Sequence, residues 1–335
     1  MKHLNECFKI LSLIVSIWIC FSQVAKSEGG ESEFSYVETD NIGHIILDIE
    51  SNIPGRHTVK NQLNSLLELA VEEVDKSGVR QITDEKKRAV ATFEAIARAI
   101  RTNGFHHKTG IYPHSLTEVL SSKSKLFDCD TGGFIFLSVA EKLDLPVSMV
   151  EVEVPSYSPA REFGDHNFVR WTLKDGNTVD WDPNDENQRS GDAQTSLYGF
   201  AWTKEQLIGY VFFARGLDWE KQGYFKNALD DYEQSIRLFP TWPKAKNNVA
   251  WLFASRSELQ HLGREMEALM LAKEVVALHP TANNKDTLAC AYALNGDFEN
   301  AIKVQKSVVA ANPHAPSFAE NLRKMQSRKN CFIDS

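Results

Sequence analysis

Apolar positions recur at three- and four-residue spacing along much of this chain, and that period predicts amphipathic helices. Leu63, Leu66, Leu67, Ala70, Val71 and Val74 mark one within 58–76. Val90, Phe93, Ile96 and Ile100 mark the next, with Thr83 as a cap and Gly104 as its end. His106-His107-Lys108-Thr109-Gly110-Ile111-Tyr112-Pro113-His114 reads as a loop, and Ser115 to Leu120 as a short helix. An apolar run that opens at Cys129 and continues to Leu143 predicts a buried helix. The period then drops to two. Residues 147–154 and 166–173 read as strands, and a turn at Asp175-Gly176 leads into a return strand at 178–183.

From Glu205 onward the pattern is helical without interruption, and it repeats. Ala228, Ala268 and Ala301 are each followed at one fixed distance by a proline: Pro240, Pro280 and Pro313. Trp219 and Tyr292 stand at matching places before two of those alanines, and the small residues Gly216 and Ala289 stand before the aromatics. Gly223-Tyr224-Phe225-Lys226-Asn227-Ala228 parallels Gly296-Asp297-Phe298-Glu299-Asn300-Ala301. In such a pattern small residues let paired helices approach, aromatics fill the gap, and each proline ends a second helix. The pattern resembles the tetratricopeptide repeat over residues 209–315, with an insertion in the middle unit around 256–263. On that resemblance the array is expected to hold a protein partner in a groove.

Composition narrows the picture only a little. Hydrophobic residues make up 42% and charged ones 24% of the 335-residue chain, which is ordinary for globular domains and long enough for two. A net charge of −8 argues against a nucleic-acid partner, because phosphate binding needs a basic surface. Lys2, His3 and Lys9 stand at the start of an apolar run from Phe8 to Phe21, and Val24-Ala25-Lys26-Ser27 follows it. That order predicts a signal peptide over 1–27, with export to the periplasm or cell envelope. Membrane attachment follows only if the segment is not cleaved. Of five cysteines, Cys7 and Cys20 fall in this segment. Cys129, Cys290 and Cys331 are odd in number and irregularly spaced, so no disulfide framework or zinc ribbon is implied. Cys290 reads as a small buried hydrophobe, and Cys331 as part of a polar tail.

Cys129, His166 and Asp182 occur in the chain order of a nucleophile, a base and an orienter. A helix N-terminus favours a thiolate, a neighbouring imidazole favours it further, and a carboxylate fixes the ring. Gly132 and Gly133 leave the backbone beside the thiol bare for a developing oxyanion. Asp128 and Asp130 oppose this, since like charge raises a thiol pKa, unless one caps the helix. Asp180 and Asp182 share a strand face; Asp182 is favoured because it lies nearer the level of His166 and precedes Pro183. Arg170 shares the His166 face and is expected to pair with a neighbouring acid, while Trp171 and Trp181 point into the core. The three loop histidines have no acidic or thiol partner at ligand spacing and read as surface groups.

Asp128-Cys129-Asp130-Thr131, Leu145-Pro146-Val147, His166-Asn167-Phe168-Val169-Arg170-Trp171 and Asp180-Trp181-Asp182-Pro183 together resemble the transglutaminase-like branch of the papain-type cysteine enzymes. The likeness covers residues 85–185, and is greatest to a bacterial subgroup in which such a domain precedes tetratricopeptide repeats. It implies an α+β domain at 58–204, helices plus a small antiparallel sheet, after a lead-in at 28–57. An all-α repeat solenoid at 205–326 and a polar tail at 327–335 would follow. The expected activity is hydrolysis or acyl transfer at a peptide or amide bond through Cys129, His166 and Asp182, on a protein or peptide substrate, with no cofactor or metal. The competing expectation is an inert fold of the same kind that serves as a binding scaffold. An envelope thiol–disulfide role is remote, because Cys129 has no Cys-x-x-Cys partner.

Overall fold

The first helix among the described residues lies in the stretch expected to be a loose lead-in. Asn41 caps α1 (Ile42–Glu50) by accepting from the Gly43 amide, and Ile42, Ile45, Ile46 and Ile49 bury one stripe of it. The computed structural model describes residues 36, 40–53, 55–56, 59–108, 115–155, 163–182 and 199–333. The expected signal segment at 1–27 lies outside the described residues, as does His114. None of the described helices is long and apolar enough to cross a membrane.

Two long helices follow, α2 (Lys60–Lys76) and α3 (Glu85–Thr102), and Asp84 rather than Thr83 caps the second by accepting from the Lys87 amide. His106–His107 form β1, paired in parallel with β2 (Leu126–Phe127), so the histidine stretch starts as a strand and not as a loop. Between them lies α4 (Leu116–Ser121). α5 (Cys129–Lys142) begins in a capping box, with the Asp128 side chain accepting from the Thr131 amide and the Thr131 side chain returning to Asp128.

A second sheet contains β3 (Val147–Pro155), β4 (Phe163–Thr172), β5 (Thr178–Trp181) and β6 (Gly199–Ala201) in the order β5-β4-β3-β6, with antiparallel neighbours throughout. β4 and β5 are joined through Gly176 at φ 84°, a left-handed position that favours glycine. One face of the sheet, with Met149, Val169, Trp171, Val179 and Trp181, turns to α3 and α5. There Phe93 meets Phe136 edge-on at 4.9 Å, and Phe136 stacks on Trp181 at 4.5 Å. A Cβ on Gly133 would fall 2.6 Å from Met149 Sδ, so this glycine lets α5 close on the sheet. On the other face Val150, Val152 and Phe168 form their own buried cluster.

The rest is helical: α6 (Lys204–Lys221), α7 (Phe225–Leu238), α8 (Pro243–Ser255), α9 (Glu265–Leu278), α10 (Ala282–Leu294), α11 (Phe298–Ala311) and α12 (Pro316–Gln326). α7, α9 and α11 each end just before the predicted proline, and Ala228, Ala268 and Ala301 are fully buried on them. A Cβ on Gly216 would meet the Tyr232 ring at 2.5 Å, which is why α6 and α7 need a small residue there. The inserted residues form a 3-10 turn, Ser257–Leu262.

Two larger expectations are also overturned. A transglutaminase-like α+β domain standing apart from an all-α array is not what the chain forms: helices dominate, the sheets are small, and Asp40–Ser335 is one compact unit. The reason lies in α6, where Leu207 to Phe213 are all buried. A helix apolar all round is covered on every side. Its Arg215 donates to the Ile49 carbonyl at 2.5 Å, its Asp218 pairs with Arg56 at 2.8 Å, and its Tyr210 bonds Asp130 at 2.5 Å. The second concerns the cysteines. Cys290 and Cys331 form a disulfide, because the tail folds back and Ile333 N donates to the Ser255 carbonyl at 2.9 Å.

Candidate functional site

Cys129 is the first residue of α5 and the one free cysteine among the described residues. Its two acidic neighbours have separate tasks. Asp128 is the helix cap. Asp130 turns outward from α5, accepting from the Asn167 side-chain amide, from the Tyr210 hydroxyl at 2.5 Å and from the Cys129 thiol at 3.7 Å. The Asn167 backbone amide faces the sulfur as well. Both predicted behaviours of the aspartates therefore occur, one capping and one acting on the thiol.

The electrostatic balance at the sulfur differs from the expected thiolate. Burial is the largest influence and the charge of Asp130 the next; the Asn167 amide pulls the other way, Asp128 adds a smaller push, and the net effect holds the Cys129 thiol far above its ordinary range. Burial and the Asp130 charge also raise the Asp128 carboxyl. The Tyr210 phenol, fully enclosed and beside Asp130, stays neutral well above its usual range.

His166 and Asp182 come together. His166 Nε2 lies 2.8 Å from Asp182 Oδ2, and both side chains are largely buried. Asp180 instead takes Arg170 in a two-pronged pair at 2.8 and 2.9 Å, which leaves the imidazole to Asp182. Register explains the division, since Arg170 stands opposite Asp180 on β5. Strand alternation separates the groups further. Asn167 turns to the α5 side of the sheet, while His166, opposite Val152, shares the other face with Phe168 and Arg170. The sulfur thus meets β4 at residue 167, one residue along from the histidine.

Asn167 and Tyr210 were not singled out by the sequence. Asn167 sits beside His166 in a strand that reads as alternating, and nothing local marks it. Tyr210 lies in the first array helix, where an aromatic reads as packing. No group of three or more His, Cys, Asp or Glu side chains suited to a metal occurs among the described residues.

The chain matches no protein-family model and no curated protein. Among solved structures it is similar to the first tetratricopeptide repeat of Spaghetti (RPAP3) bound to an HSP90 peptide, at 22% identity and a TM-score of 0.31. That similarity covers 36% of this chain and 90% of the other.

Proposed function

We propose that this chain is an exported thiol enzyme that cleaves or transfers the acyl group of an amide, with its helical array holding the protein or peptide that carries the bond. The observation that carries the reading is the junction of α5 with β4. The sulfur rests against the amide of residue 167, and residue 166 is a histidine already oriented by Asp182.

Cys129 Sγ attacks the substrate carbonyl. Its proton passes to His166, which lies on the other face of β4 in the resting fold and reaches the thiol once substrate is bound. The imidazolium, stabilised by the Asp182 carboxylate, then protonates the leaving amine as the C–N bond breaks, and a thioester on Cys129 remains. Water or a second amine attacks the thioester, giving its proton to His166 and returning the thiol. Because the resting thiol is protonated, His166 acts as a general base and not as half of a standing ion pair. The Cys290–Cys331 disulfide supports the exported setting, since such bonds persist in oxidising compartments.

The test is adduct trapping. The protein is incubated with cell-envelope peptides, quenched in acid and mapped by mass spectrometry. An acyl adduct on Cys129 is expected, absent in Cys129→Ser and reduced about 100-fold or more in His166→Ala and Asp182→Asn. No adduct on Cys129, with the Ser variant capturing the same peptides as the parent, would leave a helical-repeat binding protein without chemistry.

A further inference from the structure

We infer that Asp130, held in place by Asn167 and Tyr210, acts against ionisation of the Cys129 thiol, and that the array thereby contributes a positioning residue, Tyr210, to the site. This deepens the proposed thiol chemistry and rests on Cys129 being its nucleophile.

The geometry is specific. Asp130 follows the cysteine on α5, and its two oxygens are divided. Oδ1 accepts from the thiol at 3.7 Å and from the Asn167 side chain, while Oδ2 accepts from Tyr210 at 2.5 Å. All three donors are neutral. The carboxylate is fixed but not neutralised, so its charge acts on the sulfur at close range. Asn167 is 3% exposed, and its Oδ1 has no hydrogen-bond partner. A buried amide with one end unpaired is costly and is tolerated here because its other end orients Asp130. The titratable groups about the sulfur are Asp128 and Asp130 on its own helix, Tyr210 on α6 and, one residue from the Asn167 amide, His166 on β4.

Two substitutions at one hydrogen bond then have opposite effects. Asp130→Asn removes the charge while keeping shape. The new amide is accommodated if Asn167 turns over, which offers its unpaired Oδ1 to the new N–H group. The thiol then ionises at lower pH. Tyr210→Phe removes a donor from the Asp130 carboxylate. Its charge is less offset, so the thiol ionises at higher pH.

The experiment measures iodoacetamide labelling of Cys129 against pH in the full chain, with unfolding followed alongside. Asp130→Asn is expected to lower the labelling midpoint by about one pH unit, or about tenfold in rate at a fixed pH below it. Tyr210→Phe is expected to raise it. Midpoints that stay put, or move in the same direction in both variants, overturn the inference and assign Asp130 to packing. Should Asp130→Asn fail to fold, Tyr210→Phe decides alone: an upward midpoint supports the inference and an unmoved one overturns it. Labelling does not require turnover. Opposed midpoints without any acyl adduct would uphold this inference and remove the proposed enzyme.

Discussion

Two acids on either side of the α6 helix show how one residue type is used in two ways. In the array, Asp231 on α7 receives both prongs of Arg215 at 2.6 and 2.7 Å. Burial raises its carboxyl, the neighbouring Asp230 adds to that, and the guanidinium offsets part of the rise. At the thiol, Asp130 receives an amide, a phenol and a thiol, and none of these is a cation. An acid paired with a guanidinium is spent on holding helices together. An acid held by neutral donors keeps a field that reaches its neighbour. Placement of the donors, more than burial, separates structure from chemistry.

The comparison is broken most severely at Arg215. Arg215→Met leaves Asp231 buried without its cation and the Ile49 carbonyl without its side-chain donor. Denaturant unfolding should register a loss of about 3–5 kcal/mol, while the labelling midpoint of Cys129 stays where it was. A midpoint that shifted as well would mean the two acids are not independent.

Next in size is the disulfide, which ties the tail to α10 across a sequence separation of 41. Cys331→Ser should cost about 2–4 kcal/mol by loop-closure arguments. A reductant should bring the parent down to the variant and leave the variant unchanged.

Glu50 tests the sheet-bearing half. Its carboxylate caps α4, accepting from the Leu116 amide at 2.8 Å and from Thr117 through N and Oγ1 at 2.7 Å. Burial nevertheless outweighs these donors and pushes it up to about 7. The folded state therefore binds this proton more tightly than the unfolded chain does. Its contribution is complete below the unfolded pKa and is lost as pH rises through about 7. Stability should fall by about 3 kcal/mol over that window, and Glu50→Gln should flatten the slope in thermal melts taken across it.

The smallest effect is at Gly216, where an added methyl meets the Tyr232 ring. Gly216→Ala should cost about 1–3 kcal/mol of stability and leave Cys290–Cys331 and the thiol alone.

The parts of the fold that a reader of the sequence recovers are those written locally. The alanine-to-proline spacing marks where α7, α9 and α11 end, because each helix pair repeats the same neighbour contacts. The start of α5 at Cys129 and the turn at Gly176 are equally local. Long-range choices were not legible. Ile42, Ile45, Ile46 and Ile49 do have helical spacing, yet the stretch is short and flanked by polar residues, and its burial depends on α5 and α6. The partners of Cys290 and Asp130 are set by a returning tail and by a tyrosine 80 residues on, neither of which leaves a periodic trace. Of the candidate site, the sequence supplied Cys129, His166 and Asp182, but not the direction in which the thiol would titrate. That depends on the outcome between a helix end and desolvation, which only three-dimensional placement decides.

One consequence follows from the way α6 is seated. Severing the chain ahead of Lys204 would uncover Ile49, strand Arg56 without Asp218 and strip Glu151 of the Trp242 indole that donates to it at 2.9 Å. The array, in turn, would carry off a helix whose apolar girth has lost half its cover. Neither portion can be traded as a cassette between proteins, because the partition between them runs through the middle of a helix's girth.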